Sequence, residues 1–110
     1  MESEKQLFTN VSIRTFASDV DAALFDKRWN SVGPTYLKRL GEKGLLSYET
    51  AKIWNKETSL MSFVVFRYGS AKAVKNCLPI WEKIEKTLFP DINIKMTACR
   101  GVTIEYWEAE

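Results

Sequence analysis

The chain has 110 residues, of which 45% are hydrophobic and 27% are charged, a balance typical of a globular domain that buries a core. With 16 basic and 14 acidic residues, the formal net charge of +2 is too small to predict nucleic acid or a membrane surface as a partner. The absence of histidine excludes a Ser-His-Asp triad, a histidine general base and a histidine-ligated haem within this chain. The sequence also lacks P-loop and GxGxxG patterns, so no metal and no cofactor is expected.

The N-terminus and the cysteines bear on cellular location. The first residues, MESEKQ, are charged, and no apolar run approaches the roughly 20 residues needed to span a bilayer. We therefore expect a cytoplasmic protein with no membrane partner. Cys77 and Cys99 have no CxxC spacing, so we expect two buried free thiols rather than a zinc site or a disulfide.

The segment LFTNVSIRTF, residues 7–16, alternates in the manner of a half-buried strand. One face carries Val11 and Ile13, and the other carries Asn10, Ser12 and Arg14. A helix of residues 19–43 follows, with Ser18 or Asp19 as its N-terminal cap.

Apolar residues recur along this helix at spacings of three or four: Ala22, Phe25, Trp29, Val32, Tyr36 and Leu40. Gly33 and Pro34 interrupt the stripe without shifting its phase, so we expect one continuous helix with a kink. Gly44 is expected to end it, because glycine readily adopts the backbone conformation that stops a helix.

Residues 45–54 and 59–68 are predicted to form the second and third strands, joined by the polar loop NKET. The third strand has large side chains on both faces: Phe63, Val65 and Arg67 on one, and Val64, Phe66 and Tyr68 on the other. Two helices on one side of a sheet cannot cover both faces. We therefore expect a homodimer that forms through the free sheet face.

A second helix, capped by Ser70, is predicted to end at Pro90. The last segment alternates from Ile92 and is interrupted near Gly101, so it forms either one bulged strand or two short ones. The order βαββαβ predicts an α+β fold of the ferredoxin-like type, a two-layer sandwich with an antiparallel sheet. We expect residues 1–110 to form a single domain of this kind.

Residues 28–55, RWNSVGPTYLKRLGEKGLLSYETAKIWN, resemble the helix-to-strand portion of the dimeric α+β-barrel superfamily. This superfamily includes the antibiotic-biosynthesis monooxygenase, EthD-like and NIPSNAP-like proteins. The segment SFVVFRYGSAKAV is similar to the strand that leads into their second helix. The resemblance implies a homodimeric barrel with a small-molecule pocket between each sheet and its helices. Some members oxidise aromatic substrates without metal or flavin, whereas the haem-degrading branch uses an axial histidine that is absent here.

The candidate ligand-binding residues are those expected where the first helix faces the sheet: Arg14, Trp29, Tyr36, Tyr48 and Arg67. Aromatic rings would supply contact area, and a buried arginine needs a carboxylate of the protein or an acidic ligand. The functional hypothesis is a small-ligand-binding protein, in one form a cofactor-independent, monooxygenase-like enzyme acting on a small aromatic or acidic molecule. No residue is identified as catalytic, and whether the protein is an enzyme is left open.

Two alternatives come from other functional classes. A non-enzymatic dimeric interaction or regulatory module would use Tyr106 and Trp107, near the C-terminus, to contact a partner. An RNA-recognition motif has the same topology, and SLMSFVVF matches three positions of its third-strand pattern. That pattern's leading basic residue and glycine are missing and the net charge is small, so nucleic acid is not the expected partner.

Overall fold

The computed structural model describes residues 6–58 and 60–110. Its elements, in chain order, are β1 (Phe8–Phe16), α1 (Asp19–Glu42), β2 (Leu45–Lys52), β3 (Met61–Tyr68), α2 (Ala71–Leu88) and β4 (Ile94–Val102). The predicted ferredoxin-like βαββαβ order is confirmed. Among the described helices, none has the length and apolar character to cross a membrane.

The four strands form one antiparallel sheet in the order β2-β3-β1-β4. The register of β1 with β4 runs without a shift from the pair Phe16 and Ile94 to the pair Phe8 and Val102. Neither alternative for the last segment is therefore correct, because β4 is one strand that passes through Gly101 without a bulge. This pairing along its whole length makes β4 an edge strand of the sheet, beside β1.

Side-chain caps begin both helices as the sequence predicts. The Ser18 hydroxyl accepts a hydrogen bond from the Asp21 amide at 3.1 Å, and the Ser70 hydroxyl accepts one from the Ala73 amide at 3.1 Å. Helix α1 is continuous through Pro34, as expected. It ends before Gly44, whose φ of 115° suits glycine and whose Cβ position would lie 2.5 Å from the Ala73 Cβ.

Both helices lie on one side of the sheet and enclose the core, which includes Phe25, Leu40, Cys77, Ile84 and Leu88. The helices pack over β1, β2 and β3. Strand β4 is exposed along residues 95–102. The helix layer therefore does not cover β4.

We call the side of the sheet beneath the helices the helix face and the other side the open face. On β1 the helix face carries Ser12, Arg14 and Phe16, each less than a tenth exposed. The open face carries Val11 and Ile13, which pair with Val65 and Phe63 of β3. The polar side of β1 is thus the one under the helices.

The two cysteines differ in environment. Both are free thiols, Cys77 being buried and Cys99 exposed. The expectation that both thiols are buried is therefore wrong for Cys99. It lies on β4 opposite Val11, on the open face, which no helix of the described chain covers.

Candidate functional site

A cavity of about 480 Å³ lies between the helix face and the two helices. Its walls come from all four strands, from one turn of α1 and from the length of α2. This volume falls within the range of pockets that hold drug-sized ligands.

The cavity exists because one row of residues across the sheet is small. Ser12 of β1 lies opposite Val64 of β3 on one side and Ala98 of β4 on the other, and all three line the cavity. The next row carries Arg14 and Met96, whose longer side chains rise on one side of this floor. The small row leaves space between the sheet and the helices that core side chains do not fill.

Aromatic rings form one continuous wall of the cavity. Ring centroids are 5.5 Å apart for Trp29 and Tyr48, 5.7 Å for Tyr48 and Phe66, and 4.2 Å for Phe66 and Trp81. The Trp81 indole N–H donates a hydrogen bond of 2.7 Å to the Tyr68 hydroxyl, which fixes the ring at the end of the wall. A planar apolar ligand would find large rigid contact surfaces here.

Trp29 owes its position to a glycine one turn later in α1. A Cβ at Gly33 would lie 2.5 Å from the Cε2 atom of the Trp29 indole. The absence of a side chain at this position lets the indole lie flat against the helix backbone. Gly33 therefore shapes the cavity wall, a role that its pairing with Pro34 in the sequence does not indicate.

Arg14 is the buried charge of the site. It is 8% exposed, and its Nε is buried with no hydrogen-bond partner among the described residues. The guanidinium lies 4.8 Å from the centre of the Phe25 ring. Burial lowers the pKa of Arg14, while Tyr48 and Asp26 act in the opposite direction. The ring supports the cation, but it does not replace the hydrogen bonds that an arginine makes in water.

Asn10, on the same face of the same strand, presents a second unpaired polar atom. Its Oδ1 is buried with no hydrogen-bond partner within the described residues. Asn10 lies between Phe66 of β3 and Arg100 of β4, and all three line the cavity.

The mouth of the cavity is more polar than its interior. Glu82 and Glu85 on α2 and Arg100 on β4 line it, and all three are exposed. Among the described residues, no three cysteine or acidic side chains lie close enough together to hold a metal ion.

The structure brings together Arg14, Trp29 and Tyr48 from the set that the sequence predicts. Tyr36 is not among the lining residues, since its hydroxyl lies 3.4 Å from the Thr87 Oγ1 on the outer part of the helix pair. Arg67 is also outside the cavity. It pairs with Thr9 one position along from Phe66, and strand alternation places it on the open face.

Most residues that line the cavity are not among the predicted site residues, and Ser12, Ala98 and Arg100 are examples. Small side chains such as Ser12 and Ala98 create space only when they lie next to each other across paired strands, and no local sequence pattern shows this pairing. The pairing of Asn10 with Arg100 depends on the β1–β4 register, which joins residues about 90 positions apart in the chain.

Solved structures with the same fold support the assignment of architecture. A dimeric ferredoxin-like protein from an uncultured marine organism is 27% identical, with a TM-score of 0.78 over 94% of this chain and 99% of that one. SnoaB, a cofactor-independent oxygenase from Streptomyces nogalater, is 13% identical, with a TM-score of 0.60 over 93% and 95% of the two chains. An EthD family protein from Bacillus halodurans is 9% identical, with a TM-score of 0.54 over 83% and 96%.

These similarities confirm the predicted resemblance to dimeric ferredoxin-like, oxygenase and EthD proteins at the level of the fold. No curated protein sequence matches the chain. The sequence model of a domain of unknown function, DUF6974, matches residues 5–103. The chain therefore belongs to the DUF6974 family.

Proposed function

We propose that this protein binds a small aromatic molecule with an acidic group in the cavity, with the acid held by Arg14. The observation that carries the proposal is the buried Arg14 guanidinium, whose Nε has no partner among the described residues. A buried donor without a hydrogen-bond partner costs about 1–3 kcal/mol in free energy, and an anionic ligand that accepts a hydrogen bond from Arg14 would remove that cost.

The rest of the cavity accounts for the aromatic part of the ligand. The wall of Trp29, Tyr48, Phe66 and Trp81 offers ring surfaces above a floor of small side chains. A planar molecule between the wall and the floor would bury most of its surface, while a single charged group fixes its orientation.

A cofactor-independent oxygenation of the bound molecule is the catalytic form of this proposal. The fold is shared with SnoaB, a cofactor-independent oxygenase, although this similarity extends only to the architecture. For a ligand whose acidic group is an enol or a phenol, Arg14 would stabilise the anion. A CH carbon of that anion would then form a bond to dioxygen, which is the oxidant, and the protonated hydroperoxide would lose water to leave a carbonyl group. Oxygen consumption by the protein with a bound enolisable aromatic ligand such as anthrone tests this step, and its absence would leave a binding protein.

We also propose a homodimer that forms through the open face. Ile13, which is 42% exposed, and the partly exposed Val11 and Phe63 form an apolar patch there, and a protein of the same fold is dimeric. If the cavity binds no small molecule, a dimeric interaction or regulatory module becomes the better account of the chain.

Tryptophan fluorescence tests ligand binding, because Trp29 and Trp81 line the cavity. The panel contains 2-naphthoic acid, benzoic acid and the neutral 2-naphthamide. We expect the acids to quench the fluorescence and the amide to bind at least about tenfold more weakly.

Arginine variants assign the effect to its source. Arg14→Met should weaken binding of 2-naphthoic acid about 10- to 100-fold, because a charged hydrogen bond is lost. The matched control is Arg39→Met, which removes an exposed arginine from α1 outside the cavity. Equal affinity in wild type and Arg14→Met, or no quenching by any acid, would refute the proposed function.

A further inference from the structure

The cavity contains a second unsatisfied position that the acid at Arg14 does not use. The Asn10 Oδ1 is buried and accepts no hydrogen bond from the described residues. A buried carbonyl oxygen without a donor costs free energy, and a ligand that supplies a donor recovers it.

Geometry relates this oxygen to Arg14. Asn10 and Arg14 are four positions apart on β1 and share the helix face. At ~3.3 Å per residue their Cα atoms are about 13 Å apart along the strand. Ser12 lies between them with Ala98 beside it, so the space between the two polar groups has a low, small-residue floor.

The residues around Asn10 are suited to contact the edge of an aromatic ring. Phe66 is the β3 neighbour of Asn10 and belongs to the aromatic wall. A ring that lies over Ser12 with its acid toward Arg14 would present its opposite edge to Asn10. A substituent on that edge meets an oxygen acceptor rather than an apolar surface.

We propose that the ligand is an aromatic hydroxy acid, with its acidic group at Arg14 and a hydroxyl at the far edge that donates a hydrogen bond to the Asn10 Oδ1. This inference rests on the proposed function and adds the specificity-determining role of Asn10. A ligand of the same shape that lacks the donor leaves the buried oxygen unpaired, and sites of this type discriminate against such ligands.

Three naphthalene probes test the inference by titration calorimetry: 2-naphthoic acid, 6-hydroxy-2-naphthoic acid and 6-methoxy-2-naphthoic acid. The methoxy group can accept a hydrogen bond but cannot donate one. We expect the wild-type protein to bind the hydroxy acid about tenfold more tightly than the methoxy acid.

Asn10 variants locate the source of this preference. Asn10→Leu should reduce the ratio of the two affinities to about one, while the control Asn30→Leu, on the exposed surface of α1, keeps the wild-type ratio. Asn10→Thr retains an oxygen acceptor and a residue type suited to strands, and it should keep a preference for the hydroxy acid.

The outcomes separate the two proposals. If the naphthoic acids bind but the hydroxyl brings no advantage, or if the advantage persists in Asn10→Leu, the role of Asn10 is wrong and the acid-binding site stands. If no acid binds the wild-type protein, both proposals fail.

Discussion

The two faces of β1 reverse the usual arrangement of a half-covered sheet. Ser12 and Arg14 lie beneath the helices, less than a tenth exposed, whereas Ile13 is 42% exposed on the open face. A strand that served only this chain's own core would direct its apolar side chains toward the helices. This difference is what the two proposals predict, with ligand binding on the covered face and dimerisation on the open face.

Strand β3 does not share this asymmetry. Its helix face carries Val64, Phe66 and Tyr68, and its open face carries Phe63 and Val65. Strand β3 thus contributes apolar surface to both sides, and the two buried unpaired polar atoms, on Asn10 and Arg14, come from its neighbour β1. Variants on the open face should accordingly affect dimerisation, and variants on the helix face should affect ligand binding.

The largest effect is expected on the open face. Ile13→Glu places a charge in the proposed dimer interface of both copies and should raise the dimer dissociation constant at least about 100-fold. Analytical ultracentrifugation would then show the 12.7 kDa monomer. Val20→Glu is the control, since Val20 is 77% exposed at the start of α1. A wild-type protein that is monomeric at all concentrations would contradict the proposed interface.

The next effect concerns the floor of the cavity. Ala98→Phe should fill the space above the small-residue row and weaken binding of 2-naphthoic acid by about 1–3 kcal/mol. The fold should persist, because Ala98 is exposed on β4. Fluorescence titration measures the affinity, and Ala98→Ser, which hardly changes the volume, should bind as wild type does. Unchanged affinity in Ala98→Phe would place the ligand elsewhere.

Two glycines of α1 form a matched pair for the aromatic wall. Gly33→Ala should destabilise the protein by about 1–3 kcal/mol and weaken ligand binding, because the new methyl group displaces Trp29. Nothing lies within 4 Å of a Cβ at Gly41, so Gly41→Ala should stabilise the helix by about 1 kcal/mol. Urea unfolding measures both changes, and equal effects of the two substitutions would contradict the role of Gly33.

The smallest effect is expected at the start of α1, away from both faces. The Asp21 carboxylate accepts hydrogen bonds from the Asn93 amide at 3.0 Å and the Ser18 hydroxyl at 2.7 Å, and these lower its pKa. Because the folded pKa is below the unfolded one, this contribution is present above pH ~4 and is lost as the pH falls through the folded pKa.

Asp21→Asn should therefore unfold with a weaker dependence of the unfolding free energy on pH between about 5 and 2. Asp19→Asn, in the same helical turn, is the matched control. Parallel pH profiles for wild type and Asp21→Asn would show that these hydrogen bonds do not favour the ionised carboxyl in the folded state.

Much of the fold could be predicted because its signals are local. Ser18 and Ser70 cap their helices, Gly44 ends α1, and the apolar stripe of α1 places Phe25 and Leu40 in the core. Each of these depends on residues within a turn or two of chain. The expectation of either one bulged strand or two short ones near Gly101 was wrong, since β4 is one strand that pairs with β1 without a shift.

The sequence by itself determined the order of the elements and the two-face pattern of the strands. It also named Arg14, Trp29 and Tyr48, which the structure places at the cavity. Tertiary structure alone decided which face the helices cover, because period-two alternation separates two sides without saying which one is buried. That choice put Arg67 on the open face and Asn10 in the cavity. The empty volume itself arises from small side chains on three paired strands, and such a row is assembled only when the register brings distant segments together.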